Sequence, residues 1–131
     1  MSMTNIRAAL ENALNGMTPA LQTAWENIKY VPSVGVPYQR CFILPANPDN
    51  QEFGSTYRDQ GILQINLFYP EYAGSGAATA RGELIRTTFY RGATFTYSTD
   101  SVNITRTPHI GSGFNDDDRY LLPVRVFWKS I

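Results

Sequence analysis

The segment that most restricts the fold runs from Arg58 to Gly92, RDQGILQINLFYPEYAGSGAATARGELIRTTFYRG. Ile62, Gln64 and Asn66 alternate with Leu63, Ile65 and Leu67, so one face is apolar and the other mostly polar. That period of two predicts a half-buried strand. Tyr69-Pro70 ends it, because proline has no N–H to give to a ladder. Gly74-Ser75-Gly76 then permits a turn with positive φ. A helix is predicted next, with Ala77, Ala80, Leu84, Ile85 and Phe89 on one face, Ser75 as its N-cap and Gly92 as its stop. Strand, turn and helix in this order require a fold that mixes both element types.

The rest of the chain extends this pattern. Ile6, Leu10, Ala13, Leu14 and Met17 share one face of an N-terminal helix, with Thr4 placed to cap its start and Gly16 near its end. Trp25–Val31 is a candidate strand with poor alternation, and Pro32, Gly35 and Pro37 break any regular element after it. Tyr38–Leu44 reads as a further strand, and Ala46–Thr56 as a loop. Thr94–Tyr97 and Val102–Thr105 form a predicted hairpin around Ser98-Thr99-Asp100. Pro108–Arg119 reads as a polar loop. In the last strand, Leu121–Lys129, the side chains of Leu122, Val124, Val126 and Trp128 share a face opposite Arg125. The expected fold is α+β: a mixed, mostly antiparallel sheet packed by two helices on one face, in a single domain over residues 1–131.

Composition narrows the function. Lys+Arg and Asp+Glu both total 11, a formal net charge of zero. Dedicated nucleic-acid binders carry excess positive charge, so that class is disfavoured, while self-association meets little repulsion. The lone Cys41 excludes an internal disulfide and, within the apolar run Cys41-Phe42-Ile43-Leu44, reads as a small buried hydrophobe. No basic-then-apolar leader opens the sequence and no run nears the length that spans a bilayer, so synthesis in the cytosol is expected, with no membrane contact.

The search for chemistry finds little. His109 is the only histidine, and no metal-type ligand spacing surrounds it. Gly74-Ser75-Gly76 lacks the P-loop lysine and the GxGxxG spacing, so a turn and cap is favoured over a phosphate site. Ser112 does not sit in a G-x-S-x-G elbow. Asp116-Asp117-Asp118 is the sharpest charge run. It fits a solvated loop tip, a contact with a basic partner or, least well, a hard-cation site, since it lacks the EF-hand spacing. Arg58, Arg81, Arg86, Arg91, Arg106, Arg119 and Arg125 outnumber the lysines, and aromatics reach 13%. Both biases suit protein interfaces, although aromatics also fill cores and arginines solvate surfaces. No catalytic residue, metal ligand or cofactor follows from these residues.

A family resemblance rests on larger patterns. The N-terminal helix leads to a strand with proline-rich surroundings, then to Gly61-Ile62-Leu63-Gln64-Ile65-Asn66-Leu67 ending near Pro70. The glycine turn and alanine-rich helix close on Phe89-Tyr90-Arg91-Gly92. Val102-Asn103-Ile104, a glycine-containing loop and Tyr120…Pro123-Val124-x-Val126-x-Trp128 follow. This resembles the bacteriophage tail-terminator family and related minor tail proteins over nearly the whole chain, most clearly from Arg58 to Trp128.

The resemblance implies an α+β structural protein without cofactor or catalytic residue. It implies a ring, usually hexameric, that caps the tail tube at its head-proximal end and lets the finished tail join the head. The implied partners are other copies of the chain, the major tail tube protein and a head-completion or connector protein. The implied location is the virion tail, after synthesis in the bacterial host's cytoplasm. The polar loops Ala46–Thr56 and Pro108–Arg119 are themselves expected to take part in assembly, with Asp116, Asp117, Asp118 and Arg119 as candidate contacts; the resemblance assigns no individual contact residue. Two alternatives stand beside this reading: another neck protein, such as a head–tail connector or tail-completion protein, and a small ligand-binding domain or enzyme.

Overall fold

A computed structural model, which describes residues 3–50, 54 and 57–131, places the alternating segment at the centre of a sheet. The elements run α1 (Met3–Asn15), β1 (Gln22–Ala24), β2 (Tyr38–Pro45), β3 (Gln60–Pro70), α2 (Gly76–Thr88), β4 (Thr94–Tyr97), β5 (Asp100–Ile104), β6 (His109–Ile110), β7 (Phe114–Asp116) and β8 (Arg119–Ser130). The sheet order is β1-β2-β3-β8-β5-β4, with β6 and β7 also paired to β8. Every pairing is antiparallel except β1 with β2. The α+β class, with a mixed and mostly antiparallel sheet, is therefore the observed one.

The register explains the core. Cys41, Ile65 and Val124 stand in one row across β2, β3 and β8, and Ile43, Leu63 and Val126 in another. All of these are buried. They meet Ile6, Leu10 and Leu14 of α1 and Ala78, Ile85 and Phe89 at α2 in one cluster, so both helices cover the same sheet face. The opposite face carries a smaller cluster of Ala24, Tyr38, Phe68 and Leu121, with Tyr30 against it. Tyr38 stacks between Tyr30 and Phe68, at centroid distances of 5.1 and 4.7 Å. Beyond that cluster the second face is lined by a polar row, in which Arg125 Nε donates to Gln64 Oε1 and Gln64 Nε2 to Asn66 Oδ1.

Pro123 sits inside a central strand without breaking it. Its carbonyl accepts from Gly111 N–H. A strand residue's N–H and C=O point to the same side, so the missing donor faces the gap between β6 and β7 and not β3. The β3–β8 ladder runs uninterrupted from Gln60↔Lys129 to Pro70↔Arg119.

Several expectations need correction. The candidate strand at Trp25–Val31 is instead β1, Gln22–Ala24, followed by irregular chain. The chain leaves the sheet after Ala24 and turns at Asn27, which takes φ 61°. Glu26 then completes the edge with its side chain, Oε1 accepting from Ile43 N–H at 2.9 Å. The polar loop Pro108–Arg119 contains β6 and β7, and Arg119 already belongs to β8. Thr4 lies inside α1 and not before it. Ser75 occupies the N-cap position of α2, but it has helical φ and ψ and its side chain makes no cap hydrogen bond. The helix ends at Phe89, whose N–H donates to Ile85 O, and Gly92 (φ 91°) turns the chain afterwards.

The buried face of α2 is also rotated from the expected one. Ala78, Arg81, Gly82, Ile85 and Phe89 are buried, whereas Ala77 and Ala80 are exposed and Leu84 is half-buried. Gly82 explains the rotation, since a Cβ there would stand 3.1 Å from Ile110 Cδ1. The helix approaches β6 through its bare backbone at that point. The loop expected at Ala46–Thr56 is partly outside the described residues; within its described part, Asp49 forms an isolated bridge with Arg58.

Candidate assembly surfaces

The four candidate contact residues separate into two environments. Asp116, Asp117 and Asp118 form the exposed tip of the β7–β8 hairpin, and Asp117 takes φ 52° to make the turn. None of them joins an ion pair among the described residues. Arg119 is buried. Its guanidinium lies over the Tyr38 ring, 5.1 Å from the centroid, where cation and π-face attract. Nη1 and Nη2 donate to the carbonyls of Val36 and Ser33. A planar guanidinium suits this double contact because its N–H groups diverge in a fixed fork.

Arg119 therefore fastens an apolar loop. Val31 is 75% exposed and Val34 93%. Apolar side chains thus stand exposed on a backbone that a buried arginine holds in place. Phe114, 53% exposed, pairs with Leu121 in the β7–β8 register. Paired residues project to the same face. Val34's loop, Phe114 and Asp116 thus gather at one end of the sheet, on the face away from the helices.

A groove lies at the same end on the helix face. It has a volume of about 480 Å³ and is walled by Pro19, Leu21, Tyr69, Ala77, Ala80 and Leu84. Arg81 also lines it. Only 6% of Arg81 is exposed; Nη1 donates to Pro19 O, while Nε and Nη2 are buried without a hydrogen-bond partner. Burial lowers the Arg81 pKa from its ordinary value, and Tyr69 opposes that shift. Burial raises the Tyr69 phenol in turn, against the effect of Arg81.

Elsewhere the titratable groups have structural work. A cleft of about 610 Å³ between α1 and the turn after β1 holds Arg7, Glu11 and Glu26. Arg7 Nη1 stands 3.1 Å from Glu26 and 3.8 Å from Glu11. The Ile43 N–H holds the Glu26 pKa down, whereas burial raises that of Glu11. Cys41 is buried, and desolvation pushes its thiol up to about 12, so the reactive thiolate is suppressed. His109 is exposed on β6. Among the described residues no group of His, Cys, Asp and Glu could hold a metal ion, and no helix is long and apolar enough to cross a membrane.

The sequence reading missed the loop around Val34 and the groove around Arg81. A run of three valines spaced by Pro, Ser and Gly was the available signal for the loop. The groove has a signal too: Ala77, Ala80 and Leu84 share a helical face, but helical spacing alone predicts that face to be core.

Comparison with known proteins adds the family. The sequence model of a family described as phage tail terminator protein matches residues 5–128. No curated protein matches this sequence. One solved structure superposes with a TM-score of 0.82, covering 100% of this chain and 96% of the other at 24% identity. At that identity the likeness establishes the shared fold.

Proposed function

Because this chain belongs to the phage tail terminator protein family, a family of phage structural proteins, we propose that it caps the tail tube at its head-proximal end. In this reading the protein assembles as a closed ring on the last tube layer. The ring's far face offers no site for another tube subunit, so growth stops and the head can be joined. Family membership gives a role in the phage tail and a place in the virion tail. The capping step, the ring and its hexameric size, the tube protein and the head-completion protein as partners are the proposal.

The observation that carries this reading is the match over residues 5–128. The surfaces agree with it. An apolar loop, an acidic hairpin tip and an apolar groove are all held on a rigid sheet, as association by shape requires. The acidic tip of Asp116, Asp117 and Asp118 is proposed as an assembly contact, and Arg119 acts behind it by fixing the neighbouring loop. The whole chain, residues 1–131, is taken as one such domain.

Adding purified protein to elongating tail tubes tests the proposal. Capping predicts that tubes stop at shorter lengths as protein is added, and that stopped tubes accept heads. Unchanged elongation, with the protein bound instead to tailless heads or to completed tails, would favour a different neck protein.

A further inference from the structure

We propose that the ring contact is made by the hairpin tip Asp116–Asp118 and the Val34 loop of one subunit seated on the Arg81 groove of the next copy. This inference rests on the ring reading above and names the surfaces that would form it.

Three observations converge on this pairing. The groove walls are apolar, and the surface proposed to fill them carries exposed Val34 and Phe114. The groove also carries a cation, because the Arg81 guanidinium lines it, anchored on Pro19 O. The opposing tip carries exposed carboxylates outside any ion pair among the described residues. The third observation concerns placement. Tyr69 of the groove packs against the core beneath the helices, whereas Arg119, which holds the Val34 loop, lies over Tyr38 on the other face.

One chain therefore cannot fill its own groove with its own tip. Two complementary patches on opposite faces of one chain produce a head-to-tail contact, the kind that closes into a ring when the rotation allows. The carboxylates need not reach the buried nitrogens directly. Once the apolar walls are covered, water leaves the groove and the attraction between opposite charges is screened far less than in solvent.

Ala80 provides the test because it is exposed on the groove wall, so its replacement leaves the core intact. Ala80→Glu places a negative charge against the acidic tip, and Ala80→Lys places a positive one there. Self-association is measured by mass in solution across concentrations and on tail tubes. Ala80→Glu is expected to raise the concentration needed for association about tenfold or more, with Ala80→Lys affected much less. Adding Asp116→Lys and Asp118→Lys to Ala80→Glu should restore association.

If wild type associates and the two Ala80 variants behave alike, this contact is wrong and the ring stands. If Ala80→Glu blocks association but the reversed tip does not rescue it, the groove seats a different surface of the next copy, and the contact with the tip is again wrong. If wild type remains monomeric both in solution and on tubes, the ring reading itself falls and the contact falls with it.

Discussion

Single residues decide several features of this protein. Gly61 lies where a Cβ would be 2.6 Å from Leu44 O and 3.0 Å from Pro45 Cα, both backbone atoms. Gly61→Ala must push β2 away from β3, and we expect a loss of about 2 kcal/mol in chemical unfolding. Glu26 Oε1 accepts hydrogen bonds from Ile43 N–H and from Arg7 Nη1. Its pKa is lowered from 4.5 in the folded state. Its stabilisation is therefore fully present above pH 4.5 and is lost as pH falls through the folded value. Glu11, raised by burial, contributes in the opposite sense. Comparing wild type with Glu26→Gln across that range isolates the Glu26 part: the gap between their stabilities should narrow as pH falls below 4.5. A gap that stays constant would show that the Glu26 charge plays no part. Cys41, with its thiol raised to about 12 by burial, should resist alkylation in the native protein and react once the chain is unfolded.

At the scale of elements, α2 gives the sharpest test. Ala78 is buried and Ala77 exposed. Ala78→Glu puts an unpaired charge into the core and should cost at least about 3 kcal/mol, whereas Ala77→Glu should change stability by roughly 0.5 kcal/mol or less. Equal effects at the two positions would contradict the rotation of the helix. That rotation also shows what the sequence could express. The Ile62–Leu67 alternation and the β8 face of Leu122, Val124, Val126 and Trp128 were legible because strand burial follows a strict period of two. The α2 face was not, because alanine fits a core and a surface equally well, and a buried arginine runs against the hydrophobic pattern. Close approach through Gly82 to Ile110 sets the rotation, and that contact joins residues distant in sequence. The end of β1 was hidden for a similar reason. A side chain, Glu26, replaces the strand at the β2 edge, and no local periodicity announces such a substitution. The acidic tip was legible as a charge run. The inward turn of Arg119 depends on Tyr38 and on the carbonyls of Ser33 and Val36, which only the folded chain brings together.

At the scale of the whole molecule, an acidic tip with exposed apolar neighbours lies on one face of the sheet and an apolar groove on the other, and the balanced charge offers little opposition to the approach of copies. Arg119→Ala should leave the sheet folded but free the Val34 loop, so association on tubes should weaken more than thermal stability falls. Arg119→Lys should not restore it fully, because an ammonium cannot reproduce the planar fork. The most direct test of the central claim is to image tagged protein on finished tail tubes and count where it sits. Capping predicts one closed ring at a single end of each tube, the end that joins the head. Protein spread along the tube wall, or absent from tube ends altogether, would contradict it.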